Sequence, residues 1–84
     1  MLPQRVIKQI AVMYGKPIRY PYDCDEIARA INDKTGKNIS VNTVKRLLGF
    51  ISEEREPRLY TLDMIAEYLG FDNWDVYQLS LIHI

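Results

Sequence analysis

Apolar residues return at helical spacing through most of the chain, and the breaks between those runs fall on glycine, proline and polar clusters. Val6, Ile7, Ile10, Met13 and Tyr14 follow Pro3, which suits a first helical turn, and stop at Gly15, a candidate C-terminal cap. Lys16 to Tyr22 contains Pro17 and Pro21 and is predicted to be a connector that helices do not enter. A second helix is expected from Asp23, with Glu26 at capping-box spacing and Ile27, Ala28 and Ile31 as its buried stripe, stopping near Gly36. After the turn Gly36-Lys37-Asn38, Ser40 is a candidate N-cap for a third helix, Ser40 to Phe50, with Val41, Val44 and Leu48 on one side. Residues 51–60 include Glu53, Glu54, Arg55, Glu56 and Pro57 and read as a polar loop. Thr61 is expected to cap a fourth helix with Leu62, Ile65, Ala66 and Leu69 on one face, ending at Gly70. Asp72 or Asn73 then opens a short fifth helix carrying Trp74 and Tyr77. Period-two alternation of useful length is absent from the sequence, so the expected fold is all-α, a compact bundle of about five short helices.

At 84 residues the chain holds at most one domain, near the size where a single core only just suffices. A hydrophobic share of 48% argues against disorder. No apolar run approaches the ~20 residues that cross a bilayer, and no signal-peptide pattern opens the sequence. Cys24 is the single cysteine, which excludes an internal disulfide and argues against a four-ligand metal site. A cytoplasmic setting is the simplest expectation.

Net charge is zero, but its distribution is uneven. Residues 1–20 carry +4, 21–33 carry −3, 34–50 carry +4, 51–60 carry −1 and 61–84 carry −4. Such a molecule is dipolar and can turn one positive face to a phosphate backbone. The second basic block coincides with the third helix, whose apolar stripe docks on a core while Asn42, Thr43, Lys45 and Arg46 lie on the remaining surface. Amide, hydroxyl and cationic groups of that kind can hydrogen-bond base edges and phosphates in a DNA major groove.

The last six residues, Leu79-Ser80-Leu81-Ile82-His83-Ile84, are the translation of CTG TCT CTT ATA CAC ATC. That string resembles a transposon mosaic-end adapter used in sequencing libraries. The expectation is a natural chain truncated near Gln78, followed by a non-native adapter-derived tail at 79–84, with residues 1–78 forming the domain. On that reading His83, the single histidine, is neither a catalytic nor a metal candidate. Further domains beyond Gln78 would follow in the longer protein.

Asp25-Glu26-Ile27-Ala28-Arg29-Ala30-Ile31 followed by Ile39-Ser40-Val41-Asn42-Thr43-Val44-Lys45-Arg46-Leu47 resembles a helix-turn-helix, whose usual form is "E-[LI]-A" and then "[VI]-S-x-x-T-[VI]-x-R-[LI]". Glu56 to Gly70 resembles the "P-x-…-T-L-x-x-I-A-x-x-L-G" helix that follows in phage-repressor, Cro-like domains. Leu69-Gly70-Phe71-Asp72-Asn73-Trp74 is similar to the closing segment of some bacterial helix-turn-helix proteins. The match covers roughly residues 23 to 77. It departs from the family at Asp33 to Asn38, which lengthens the usually tight turn, and in a longer, more acidic loop after the third helix. The resemblance implies that the helix beginning at Ser40 enters the major groove, with Asn42, Thr43 and Arg46 as base-edge contacts. It implies that Lys45, Lys37, Asn38 and Ser40 with the nearby backbone amides meet phosphate, joined by Arg55 and Arg58 from the following loop. Double-stranded DNA is then the partner and transcriptional regulation the role.

A protein-protein interaction module on the same fold is the competing expectation, favoured by the neutral charge, the long interhelical link and the acidic loop. An enzyme is not expected: the sequence has no native histidine, no thiol with a partner and no glycine-rich phosphate loop, and no cofactor or metal is implied. A homodimer would need a self-complementary patch, which the first or fifth helix could supply. Trp74, Tyr68 and Tyr77 at helical spacing are expected to pack, as is the Tyr20-Pro21-Tyr22 cluster.

Overall fold

Five helices follow one another in the computed structural model, which describes residues 1–52 and 55–82: α1 (Gln4–Tyr14), α2 (Pro21–Thr35), α3 (Val41–Leu47), α4 (Leu59–Tyr68) and α5 (Trp74–Ile82). No strand occurs among the described residues, so the chain is an all-α bundle. The expected loop residues Glu53 and Glu54, and His83 and Ile84 of the tail, lie outside the described residues. The Cα radius of gyration is 11.9 Å, against about 12 Å for a compact chain of this length.

Helices α2 and α4 pack on each other at the centre, α2 also carrying α3 and α4 also carrying α5. In α4, Met64, Ile65, Ala66 and Tyr68 are all inside, whereas the expected Leu62 and Leu69 are only half-buried. Val6 and Ile10 of α1, Ile27, Ala28 and Ile31 of α2, Val44 and Leu47 of α3 and Tyr77 of α5 complete one continuous core. Full burial of each large aliphatic side chain contributes about 1.5–3 kcal/mol.

Several boundaries differ from the expected ones, each for a local reason. Helix α2 starts two residues before Asp23, because a proline at the first helical position forfeits only an N–H that has no helical partner. Asp23 therefore serves as the third helical residue and reaches back, its Oδ2 accepting the backbone N–H groups of Tyr20 and Arg19, both at 2.9 Å. Helix α4 likewise begins at Leu59, with Arg58 rather than Thr61 as its N-cap. Helix α3 is shorter than expected and ends at Leu47, which is buried, while Leu48 is half-buried. Helix α5 runs on through Leu79 to Ile82.

Gly49 turns the chain away from α3 with φ +88°. The N-terminal segment closes over this corner: the Leu2 N–H donates to the Leu47 carbonyl at 2.8 Å, and the Met1 sulfur would lie 2.6 Å from a Cβ at Gly49. A thioether at the end of a flexible chain can swing aside, so the cost of Gly49→Ala is expected to come from the left-handed backbone, about 1–2 kcal/mol. A urea midpoint unchanged by that substitution would contradict the left-handed turn.

Candidate nucleic-acid interface

Ser40 opens α3 as its cap: the Thr43 N–H donates to Ser40 Oγ at 3.1 Å, and the two hydroxyls lie 2.7 Å apart. Val44 and Leu47 then pull one side of the helix into the core. With those two anchors inward, Asn42 and Arg46 are exposed, one turn apart and adjacent on the outer surface. Thr43 is half-buried and shares its hydroxyl with Ser40. Lys45 is half-buried as well, near enough to α2 for its charge to act on the buried Cys24 thiol, whose pKa burial pushes up and Lys45 pulls back.

The link from α2 to α3 is long but ordered. Thr35 Oγ1 donates to the Ile31 carbonyl at 2.7 Å and accepts the Lys37 N–H at 3.2 Å, while the Ile39 N–H donates to Asn32 Oδ1 at 2.7 Å. Gly36 takes φ +70° between them. This arrangement binds the extra residues to the end of α2 and leaves Asn38 exposed at the corner before α3. Lys37 is turned toward α4: its Nζ donates to both Glu67 carboxylate oxygens at 3.0 and 3.1 Å, which raises its pKa. A phosphate at Lys37 would have to compete with that carboxylate.

Arg55 and Arg58 are exposed and, though nine to fifteen positions along the chain, share a groove of about 310 Å³ with Thr43 and Arg46 of α3. Arg46 and Arg55 are each also held by an interaction within the fold. Thr61 and Glu56 belong to the same groove, a membership that no sequence spacing signals because it depends on how α3 and α4 are both held against α2. Of the residues expected to meet DNA, the structure thus gathers Thr43, Arg46, Arg55 and Arg58 and places Asn42 beside them on α3. Lys37 stands apart on its carboxylate partner.

On another side, Tyr20 and Tyr22 do not pack inward as expected. They are 53% and 54% exposed and stack on each other with centroids 5.3 Å apart, because Pro21 starts α2 between them. Asp23 behind them is 2% exposed, and Tyr14 Oη bonds both its Oδ1 at 2.9 Å and Glu26 Oε2 at 2.6 Å. The two backbone donors at Tyr20 and Arg19, with help from the Tyr14 hydroxyl and Lys16, lower the Asp23 pKa. A lowered folded-state value means a stabilising contribution present above the ordinary carboxylate range and lost as pH falls through and below about 4. The thermal midpoint is expected to drop on acidification toward pH 3. Asp23→Asn should start lower at pH 7 and show a shallower acid slope; parallel profiles for the two proteins would contradict this role.

No group of three or more histidine, cysteine, aspartate or glutamate residues suited to a metal occurs among the described residues, and no helix there is long and apolar enough to cross a membrane. Compared with known proteins, the chain gives no significant match to a family model, a curated protein or a solved structure.

Proposed function

We propose that the chain is a sequence-specific, double-stranded DNA-binding domain acting in transcriptional regulation, with α3 as the helix that enters the major groove. The observation that carries this reading is the pairing of Asn42 and Arg46, exposed and one turn apart on a helix whose opposite side is anchored by Val44 and Leu47. An amide and a guanidinium are the side chains that bond adenine and guanine edges in two-point contacts. Arg55 and Arg58 flank them from the loop that leads into α4, where cations can hold a duplex through its phosphates. The resemblance of residues 23–77 to Cro-like helix-turn-helix domains supports the same assignment.

The test is selection of duplexes from a randomised library followed by fluorescence polarisation across a salt series. Enrichment of one motif is expected, with log K falling linearly in log salt by about 0.9 per phosphate contacted. Failure to enrich any motif would overturn the reading. Affinity for a protein partner without salt dependence would favour the interaction-module alternative.

A further inference from the structure

The groove between α3 and the start of α4 has a composition that a DNA backbone does not need. It is lined by Arg46, Arg55 and Arg58 and by the hydroxyl-bearing Thr43 and Thr61, a set suited to a phosphate oxyanion. Apolar Met1, Leu47 and Pro57 also line it. Among the described residues, Glu56 is the acid on the lining. A continuous polyanion gains nothing from an apolar wall and is repelled by a carboxylate. A small ligand with a phosphate at one end and a flat body bearing hydroxyl or amino donors uses all three. The volume, about 310 Å³, is at the lower end of the range for small-molecule sites, about 300–1,000 Å³.

We propose that this groove binds a small phosphate monoester with a planar body, of which a mononucleotide is the class that fits. Arg58 and Arg55 take the phosphate, Leu47 and Pro57 face the body, and Glu56 accepts from its hydroxyl or amino groups. Because Arg46 belongs both to this groove and to the outer surface of α3, an occupied groove and a bound duplex exclude each other. That last consequence rests on the DNA reading; the ligand site does not.

The experiment titrates the full 84-residue protein with adenosine 5′-monophosphate, inorganic phosphate and adenosine in separate arms, reading backbone amide shifts by NMR. Saturable shifts confined to Thr43, Arg46, Arg55, Arg58 and Thr61 are expected with the nucleotide, weaker ones with phosphate and none with adenosine. Arg58→Ala should weaken nucleotide binding about tenfold or more, the size of one lost charge-assisted hydrogen bond, and Glu56→Gln should narrow the gap between nucleotide and phosphate. Shifts that never saturate, that spread over Lys8, Lys16 and Lys34, or that survive Arg55→Ala combined with Arg58→Ala would overturn the proposal. A second arm adds the nucleotide to the protein bound to its selected duplex. Displacement is expected. Saturable binding without displacement would overturn mutual exclusion and leave the site itself standing, while the absence of any selected duplex would bear on the DNA reading alone.

Discussion

Tyr77→Ala is expected to lower the unfolding free energy by about 3–5 kcal/mol, the range for removing a buried aromatic side chain. Tyr77 is fully buried, edge-on to Phe71 with centroids 5.1 Å apart and tilted against Trp74 at 5.2 Å, and its hydroxyl donates to Gln9 of α1. One ring therefore joins α5, the α4–α5 link and α1, so its loss removes contacts on three sides at once. In a domain of this size the total stability is of the order of 5–15 kcal/mol, and a midpoint drop of about 15 °C or more follows. Tyr77→Phe keeps the ring and should cost about 1 kcal/mol or less, because Gln9 is exposed and its oxygen can turn to water instead. Urea unfolding monitored by circular dichroism separates the two variants. If Tyr77→Ala unfolded within 1 kcal/mol of the parent, α5 would not belong to the cooperative unit.

That anchoring was legible in the sequence only in part. The periodic runs in α1 and α2 place Val6, Ile10, Ile27, Ala28 and Ile31 on buried faces, although Met13 of the same expected α1 run is 42% exposed. The pattern is less informative for α4, which buries Met64 and Tyr68 beside the expected Ile65 and Ala66 and leaves Leu62 and Leu69 half-buried. Two helix starts differ from the sequence signals: Pro21 opens α2 and Arg58 holds the N-cap position of α4, where the sequence points to Asp23 and Thr61. The candidate site divides the same way. Asn42 and Arg46 follow from α3 alone, since two inward residues in a short helix fix which others point out. The groove with Arg55, Arg58 and Thr61 depends on how α3 and α4 are both held against α2, and the Lys37–Glu67 pair spans thirty positions. No local pattern encodes either.

The geometry of α3 also sets what its single substitutions should do to DNA affinity, and the expected pattern is uneven. Arg46→Ala should weaken binding to the selected duplex by about 1–3 kcal/mol, roughly ten- to a hundredfold, and relax preference at one position, as loss of a two-point guanine contact does. Asn42→Ala should do the same at a neighbouring adenine. Lys45→Ala should act differently: half-buried on the α2 side, its ammonium can meet only the backbone, so all sequences should weaken alike and the salt slope should fall by about one. Ser40→Ala removes the acceptor of the Thr43 N–H and should reduce stability by about 1 kcal/mol, lowering affinity through fraying rather than through a lost base contact. Lys37→Ala should leave affinity nearly unchanged, because Glu67 already holds that charge. The decisive comparison is between Arg46 and Lys37, cations of equal charge nine positions apart but with different surroundings: Lys37 is held by the Glu67 carboxylate and Arg46 is exposed on α3. Equal losses from both would mean that duplex binding, where it occurs, responds to net charge and not to the outer surface of α3. No effect from Arg46→Ala combined with Lys45→Ala would remove α3 from the interface altogether.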